Sequence, residues 1–277
     1  MAELAEDAQR AIERLAEEPT GLGDAFRAAL RAAQGRSLVD PSAETVETWQ
    51  SYVTAMQLGS ALFAAAHAET DTVTGWIAGE VRTIAATGPQ PYAGPVAWLD
   101  AFWLAVICRD QDRATELCDI PLSLLRKSGA ECDDCLYHWV DALQTHWKGD
   151  PDLTFDTKLA AAHRCAPEVR QQQGRQEPDR HVPRPPIDLF QHYVRQDAAR
   201  FTTALVTALE SHRDHHAASP ERAARIEGLV PTGVLGTTCL AHEAGMAVEV
   251  ESDYLPAHLV RGSWLGRKAG LPGRQRR

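Results

Sequence analysis

Residues 96–147 read VAWLDAFWLAVICRDQDRATELCDIPLSLLRKSGAECDDCLYHWVDALQTHW, and this stretch decides the fold. Trp98 and Phe102 stand four residues apart and Trp103 follows, so the large apolar side chains recur at helical spacing. Asp110, Pro121 and Gly129 then cut the run into helices predicted at 96–109, 111–118, 122–127 and 132–147. Short helices joined by tight turns pack as antiparallel pairs, so a mainly α fold of stacked helical hairpins is expected. No repeat of fixed period marks a regular solenoid.

The flanks extend this pattern with one interruption. Leu4, Ala8, Ala11, Ile12 and Leu15 lie on one face of a helix over 3–18, which Pro19 and Gly21 stop. A second helix fits 24–33. A third begins after Pro41, with Ser42 as its expected cap, and runs to His67 on Trp49, Tyr52, Val53, Met56, Ser60 and Phe63. At 72–86 the period changes to two: Val73, Gly75 and Ile77, then Val81 and Thr83, alternate around Gly79-Glu80, predicting one small β-hairpin. Further helices are predicted at 153–165, 187–195, 198–216 and 233–244, with a short strand at 248–250 and a structured segment at 254–260. Between them, APEVRQQQGRQEPDRHVPRPP (166–186) reads as a mobile surface loop rich in Pro and Gln. Residues 1–264 are expected to form one domain, and 265–277 a disordered basic tail.

With 277 residues, 44% hydrophobic and 24% charged, the chain is long enough and apolar enough to bury a core. The N-terminal residues lack the basic and apolar regions of a secretory signal, and no run approaches the roughly 18 apolar residues of a membrane span. A cytoplasmic location is therefore expected. The six cysteines (Cys108, Cys118, Cys132, Cys135, Cys165, Cys239) are expected as reduced thiols, several of them in the core. The formal charge is −10, but Arg261, Arg267, Lys268, Arg274, Arg276 and Arg277 form an acid-free end worth +6, which leaves −16 on residues 1–260. Such a body repels nucleic acid and anionic membrane and attracts basic partners, though it also serves plain solubility.

Motifs for chemistry are sparse. Cys132-x-x-Cys135 with His138 offers three metal ligands on one side of a helix, but no second ligand pair follows at zinc-site spacing, and two cysteines at helical spacing also fit a packed face. His212, His215 and His216 fit a surface helix end, where cationic side chains suit the dipole. His242-Glu243 begins a zincin motif that fails at Met246. There is no phosphate-binding loop, and Gly21-x-Gly23 does not continue the dinucleotide pattern. No G-x-S-x-G elbow occurs. Paired carboxylates acting on a substrate stay open, because their separation is not visible in a sequence. No catalytic residue, metal or cofactor is assigned, and the chain is not expected to be an enzyme.

Several segments together resemble the immunity protein 49 family of bacterial polymorphic toxin systems. They are ETWQSYVTAMQLGSALFAAA (47–66), GEVRTIAATGPQPY (79–92), the helical run 98–130, YHWVDALQTHW (137–147), PPIDLFQHYVRQDAARFTTALVTALESH (185–212) and CLAHEAGMAVEVESDYLPAHLVRGSW (239–264). In order, they cover most of 42–264. The resemblance implies a mostly helical cytosolic protein whose partner is the C-terminal domain of a cognate toxin. The charge arithmetic adds that this toxin has a basic surface.

The candidate contact residues are Glu249, Glu251 and Asp253, which point to one side if 248–253 is extended, with Tyr254 as an anchor. Alternatively these carboxylates cap the next helix. Trp103, Trp139 and Trp147 are core residues at helical spacing or, alternatively, partly exposed interface anchors. Two other functions compete: a helical scaffold or regulator that holds a peptide between hairpins, and, more remotely, a metal-dependent hydrolase built on Cys132, Cys135 and His138 or on the 212–216 histidines.

Overall fold

The computed structural model describes residues 2–149, 152–164 and 186–265. Among the described residues, thirteen α-helices, three single-turn 3₁₀ helices and one two-stranded antiparallel sheet make up the regular elements, so the fold is mainly α. In chain order the α-helices and strands are α1 (Ala2–Arg14), α2 (Leu22–Gly35), α3 (Val46–His67), β1 (Thr72–Ile77), β2 (Glu80–Ala85), α4 (Pro95–Ile107), α5 (Gln111–Cys118), α6 (Leu122–Lys127), α7 (Asp134–Trp147), α8 (Asp152–His163), α9 (Ile187–Val194), α10 (Ala198–Ala217), α11 (Pro220–Ala223), α12 (Thr232–Glu243) and α13 (Ala257–Val260). Successive helices pack on one another, as in α1–α2, α2–α3, α3–α4, α4–α5, α7–α8 and α9–α10, and α12 returns to lie against α4.

Two of the helix–helix turns share one construction. At the end of α4, Arg109 adopts φ +57° while Asp110 N–H donates to Ala105 O at 2.9 Å and Arg109 N–H to Val106 O at 3.0 Å. Asp110 then caps α5, its carboxylate accepting from Arg113 N–H. Gln196 (φ +53°) and Asp197 repeat this arrangement between α9 and α10. A left-handed residue closes one helix and the following aspartate opens the next, so two residues reverse the chain.

Elsewhere helix ends depart from expectation. α1 stops at Arg14, ahead of Pro19, because its last turn tightens: Leu15 N–H bonds Ile12 O and Glu17 N–H bonds Arg14 O. α3 is capped by Thr45 and not by Ser42. Asp40 replaces Ser42 at that end, accepting from Glu44 N–H, Thr45 N–H and the hydroxyls of Thr45 and Thr48. Burial raises the Asp40 carboxyl, but these four bonds outweigh it and hold the group well below the usual carboxylate range. The expected strand at 248–250 is irregular backbone. Lacking an adjacent edge to pair with, two valines do not make a strand. The short helix α11 lay hidden in a polar sequence. The loop at 166–186 and the tail at 265–277 fall, apart from Pro186 and Leu265, outside the described residues.

The hairpin has a two-residue turn at Ala78 and Gly79, both with positive φ (+52° and +86°), and pairs Ile77 with Glu80. That register puts Val73, Ile77 and Ile84 on the inner face, whereas Val81 and Thr83 project outward with Trp76. Gln57 of α3 accepts from Ala78 N–H at 3.0 Å and pins the tip.

The core is aromatic at its centre. Trp98 and Phe102 stack at 5.1 Å, and Trp98 Nε1–H donates to Leu117 O at 2.8 Å. Trp103 lies 6.5 Å from Trp139 and 6.3 Å from Phe190, tying α4 to α7 and α9. α12 reaches this cluster because Gly236 has no side chain: a Cβ there would come within 2.5 Å of the Trp103 ring.

Candidate functional site

The segment between α12 and α13, residues 244–256, is an irregular strap that leaves α12 through Gly245 (φ +80°) and closes in a turn where Leu255 N–H donates to Ser252 O at 2.9 Å. Met246, Leu255 and Pro256 are buried, Val248, Val250 and Tyr254 half-buried, and Glu249, Glu251 and Asp253 exposed. Exposed and half-buried residues alternate from 249 to 254, so the three carboxylates meet solvent, Asp253 from the turn, while Val248, Val250 and Tyr254 pack inward. Tyr254 packs edge-on to His212 of α10, centroids 5.3 Å apart. The capping alternative fails for α13, whose N-cap is Pro256 with no side-chain hydrogen bond.

Both ends of the strap are held by residues distant in sequence. Beyond it, His258 N–H donates to Ser42 O and Trp264 Nε1–H to Ala43 O, each at 2.9 Å. The Arg109 side chain, only 7% exposed, donates from Nη1 to Leu259 O at 2.7 Å, from Nη2 to Val260 O at 2.6 Å and from Nε to Glu243 at 2.7 Å. A guanidinium thus takes up the last carbonyls of α13 and joins the carboxylate at the end of α12.

The tryptophans divide. Trp103 (2% exposed) and Trp139 (0%) lie in the core and present no surface to a partner. Trp147 is half-buried, edge-on to Phe102, with Nε1–H donating to Thr115 Oγ1 at 3.0 Å. With Tyr193, Arg109, Asp110 and Glu243 it walls a cleft of about 300 Å³ that opens where the strap begins. The structure therefore brings Glu249, Glu251, Asp253 and Tyr254 together on the strap, leaves Trp147 by the cleft, and removes Trp103 and Trp139 from any interface.

The histidine and cysteine groups also take definite places. His212 is not at a surface helix end: it is buried, its Nε2 lies 2.8 Å from Gly228 O, and burial pulls its pKa down to about 4, with His216 and His215 adding to the fall. Cys132 precedes α7 and does not share its face, because Asp133 caps that helix through Cys135 N–H. Burial raises the Cys108 thiol strongly, Cys118 to about 12 and Cys239 to about 11, so these sulfurs stay protonated at neutral pH. Among the described residues, no three His, Cys, Asp or Glu side chains are grouped to hold a metal ion, and no helix is long and apolar enough to cross a membrane.

The reading of the sequence missed Trp76 and Val81, directly paired on the outer face of the hairpin and 52% and 64% exposed. The signal was the parity of the turn: with Ala78-Gly79 as its two residues, every even position of β1 faces away from the body. Leu38 and Val39 are likewise exposed.

Fold and surface thus define a mainly α protein that buries Trp98, Trp103 and Trp139 with the Cys108, Cys118 and Cys239 thiols and carries a carboxylate-bearing strap outside. The family model for Immunity protein 49 matches residues 40–259, and the chain belongs to that family. An immunity role, with a toxin as the general partner, follows from that membership. No curated protein and no solved structure matches the chain.

Proposed function

We propose that this chain is a cytoplasmic immunity protein that binds the C-terminal domain of its cognate toxin and neutralises it by contact, without catalysis or a cofactor. The observation that supports contact over chemistry is the strap: Glu249, Glu251 and Asp253 project into solvent from backbone anchored at both ends. Carboxylates held on an ordered support attract a basic toxin surface and speed its encounter, while Tyr254 beside them supplies a partly desolvated anchor at little entropic cost.

The test is co-expression with the C-terminal domain of the toxin encoded beside this chain, scored for growth rescue and co-purification. Rescue with a stable complex is expected. Reversing Glu249, Glu251 and Asp253 to lysine should weaken the complex, mainly through slower association and a reduced dependence on salt. Absence of both rescue and binding would refute the assignment, whereas rescue that survives the triple reversal would refute the strap as contact surface.

A further inference from the structure

The outer face of the hairpin carries Thr72, Thr74 and Trp76 from β1 and Val81, Thr83 and Ala85 from β2, with no charge among them. At its centre Trp76 and Val81 pair across the strands, and both remain exposed although the opposite face buries Ile77 and Ile84 completely. A tryptophan set on a two-stranded ribbon beside a β-branched residue makes a rigid apolar knob, and its two χ angles cost little to immobilise. The support is firm, since Gln57 fixes the tip and Arg82 reaches back to Ile12 O at the end of α1.

The rim is acidic. Glu69 and Asp71 are exposed at the base of the ribbon, and Glu80 at its tip pairs with Arg82 at 2.8 Å. By register Glu80 and Arg82 belong to the Ile77 face, where Arg82 meets the end of α1. The carboxylates flanking the outer face are therefore Glu69 and Asp71, on a body that carries −16 over residues 1–260. An apolar centre inside a polar rim is the layout of a protein interface, and this rim repels a second copy of itself while attracting a cationic surface.

We infer that this hairpin face is a docking surface for a basic protein partner, with Trp76 and Val81 entering an apolar pocket and the flanking carboxylates of Glu69 and Asp71 meeting lysines or arginines. Resting on the immunity reading, the partner is the toxin domain, and the hairpin is a contact separate from the strap. It also accounts for an apolar pair left in water where threonine would serve a solvent-facing strand equally well.

The experiment measures binding of full-length chain to the C-terminal domain of the adjacently encoded toxin, for wild type, Trp76→Ser, Val81→Thr and the double reversal Glu69→Lys/Asp71→Lys. Circular dichroism and thermal melts confirm that each variant stays folded. Trp76→Ser is expected to weaken binding about 30-fold or more. Val81→Thr should cost several-fold, and the charge reversal should slow association and flatten its salt dependence. Wild-type binding with unchanged affinity in Trp76→Ser and in the reversal overturns the hairpin surface and leaves the immunity reading standing. If wild type binds no toxin, both fall. Self-association of the chain alone that Trp76→Ser abolishes assigns the face to a second copy and overturns the proposal. So does an emission change on deleting 266–277 that Trp76→Phe removes, which assigns it to the chain's own basic end.

Discussion

Replacing Arg109 by methionine tests how the strap is held. The guanidinium makes two hydrogen bonds to carbonyls of α13, at 2.7 and 2.6 Å, a third to Ile107 O at 2.6 Å, and an ion pair with Glu243 at 2.7 Å. Hydrogen bonds to a charged group contribute about 1.5 kcal/mol or more each, and the two to α13 have no substitute in a methionine. Glu243 is 42% exposed, so its pairing adds only about 0.5 kcal/mol after solvent screening. The expected loss is about 3–4 kcal/mol in urea denaturation, a large share of a typical domain's stability. Arg109→Gly should lose about 1 kcal/mol less, because glycine relieves the left-handed backbone at φ +57°. Lysine should recover less than half, since a point charge cannot span three carbonyls and a carboxylate. Hydrogen exchange locates the effect, with amides of 246–265 losing protection before those of α3 or α4. A methionine variant within 1 kcal/mol of wild type, or equal exchange in both regions, would refute the clamp.

Three other perturbations address the cap, the buried titrating groups and the core. Asp40→Ala removes four acceptor contacts at the start of α3 and should cost about 2–3 kcal/mol in chemical denaturation; because its folded pKa is depressed, the contribution is present above the unfolded pKa and lost as pH falls below it. Asp100, which accepts from Thr232 at 3.2 Å, is pushed by burial up to about 7, with Glu227 adding to the rise, so it takes up a proton on folding and its stabilising share fades as pH rises from about 4 through 7. His212 has the opposite sign: lowered to about 4, it contributes above its unfolded pKa and loses that contribution as pH falls from 6.5 through 4. Asp100→Asn should therefore gain about 2 kcal/mol at pH 8, allowing for partial solvent access, and nothing at pH 4, a trend that melts across that range would contradict if flat. Gly236→Ala, with its Cβ 2.5 Å from the Trp103 ring, should lower stability by about 1–3 kcal/mol without changing helix content, and an unshifted melting temperature would show that α12 moves aside freely.

Much of the architecture was legible because its causes are local. Gln111–Cys118 and Leu122–Lys127 follow directly from Asp110, Pro121 and Gly129, and the long α3 ends at His67 as its apolar period requires. The hairpin was legible from a change of period, but its faces depended on where the two turn residues fall. A shift of one position turns Trp76 and Val81 from inside to outside. The acidic strap was legible as an alternation, and Glu249, Glu251 and Asp253 are all exposed, although no strand forms there and Asp253 sits in a turn.

Other features depended on residues far apart in the chain. Trp103, Trp139 and Trp147 look alike in a linear pattern, yet two are enclosed by α9 and α12 while the third borders a cleft with Tyr193. His212 reads as a helix-end histidine until Gly228 and Tyr254 close over it. Arg109 reads as the last residue of a helix, but it holds another helix 150 residues away. The sequence by itself determined the helices, the hairpin and the sign of the charge, because capping, periodicity and composition act over a few residues. Only the tertiary structure decided which aromatics meet solvent and what holds the strap, because burial and buried charge pairing depend on the elements that arrive from elsewhere.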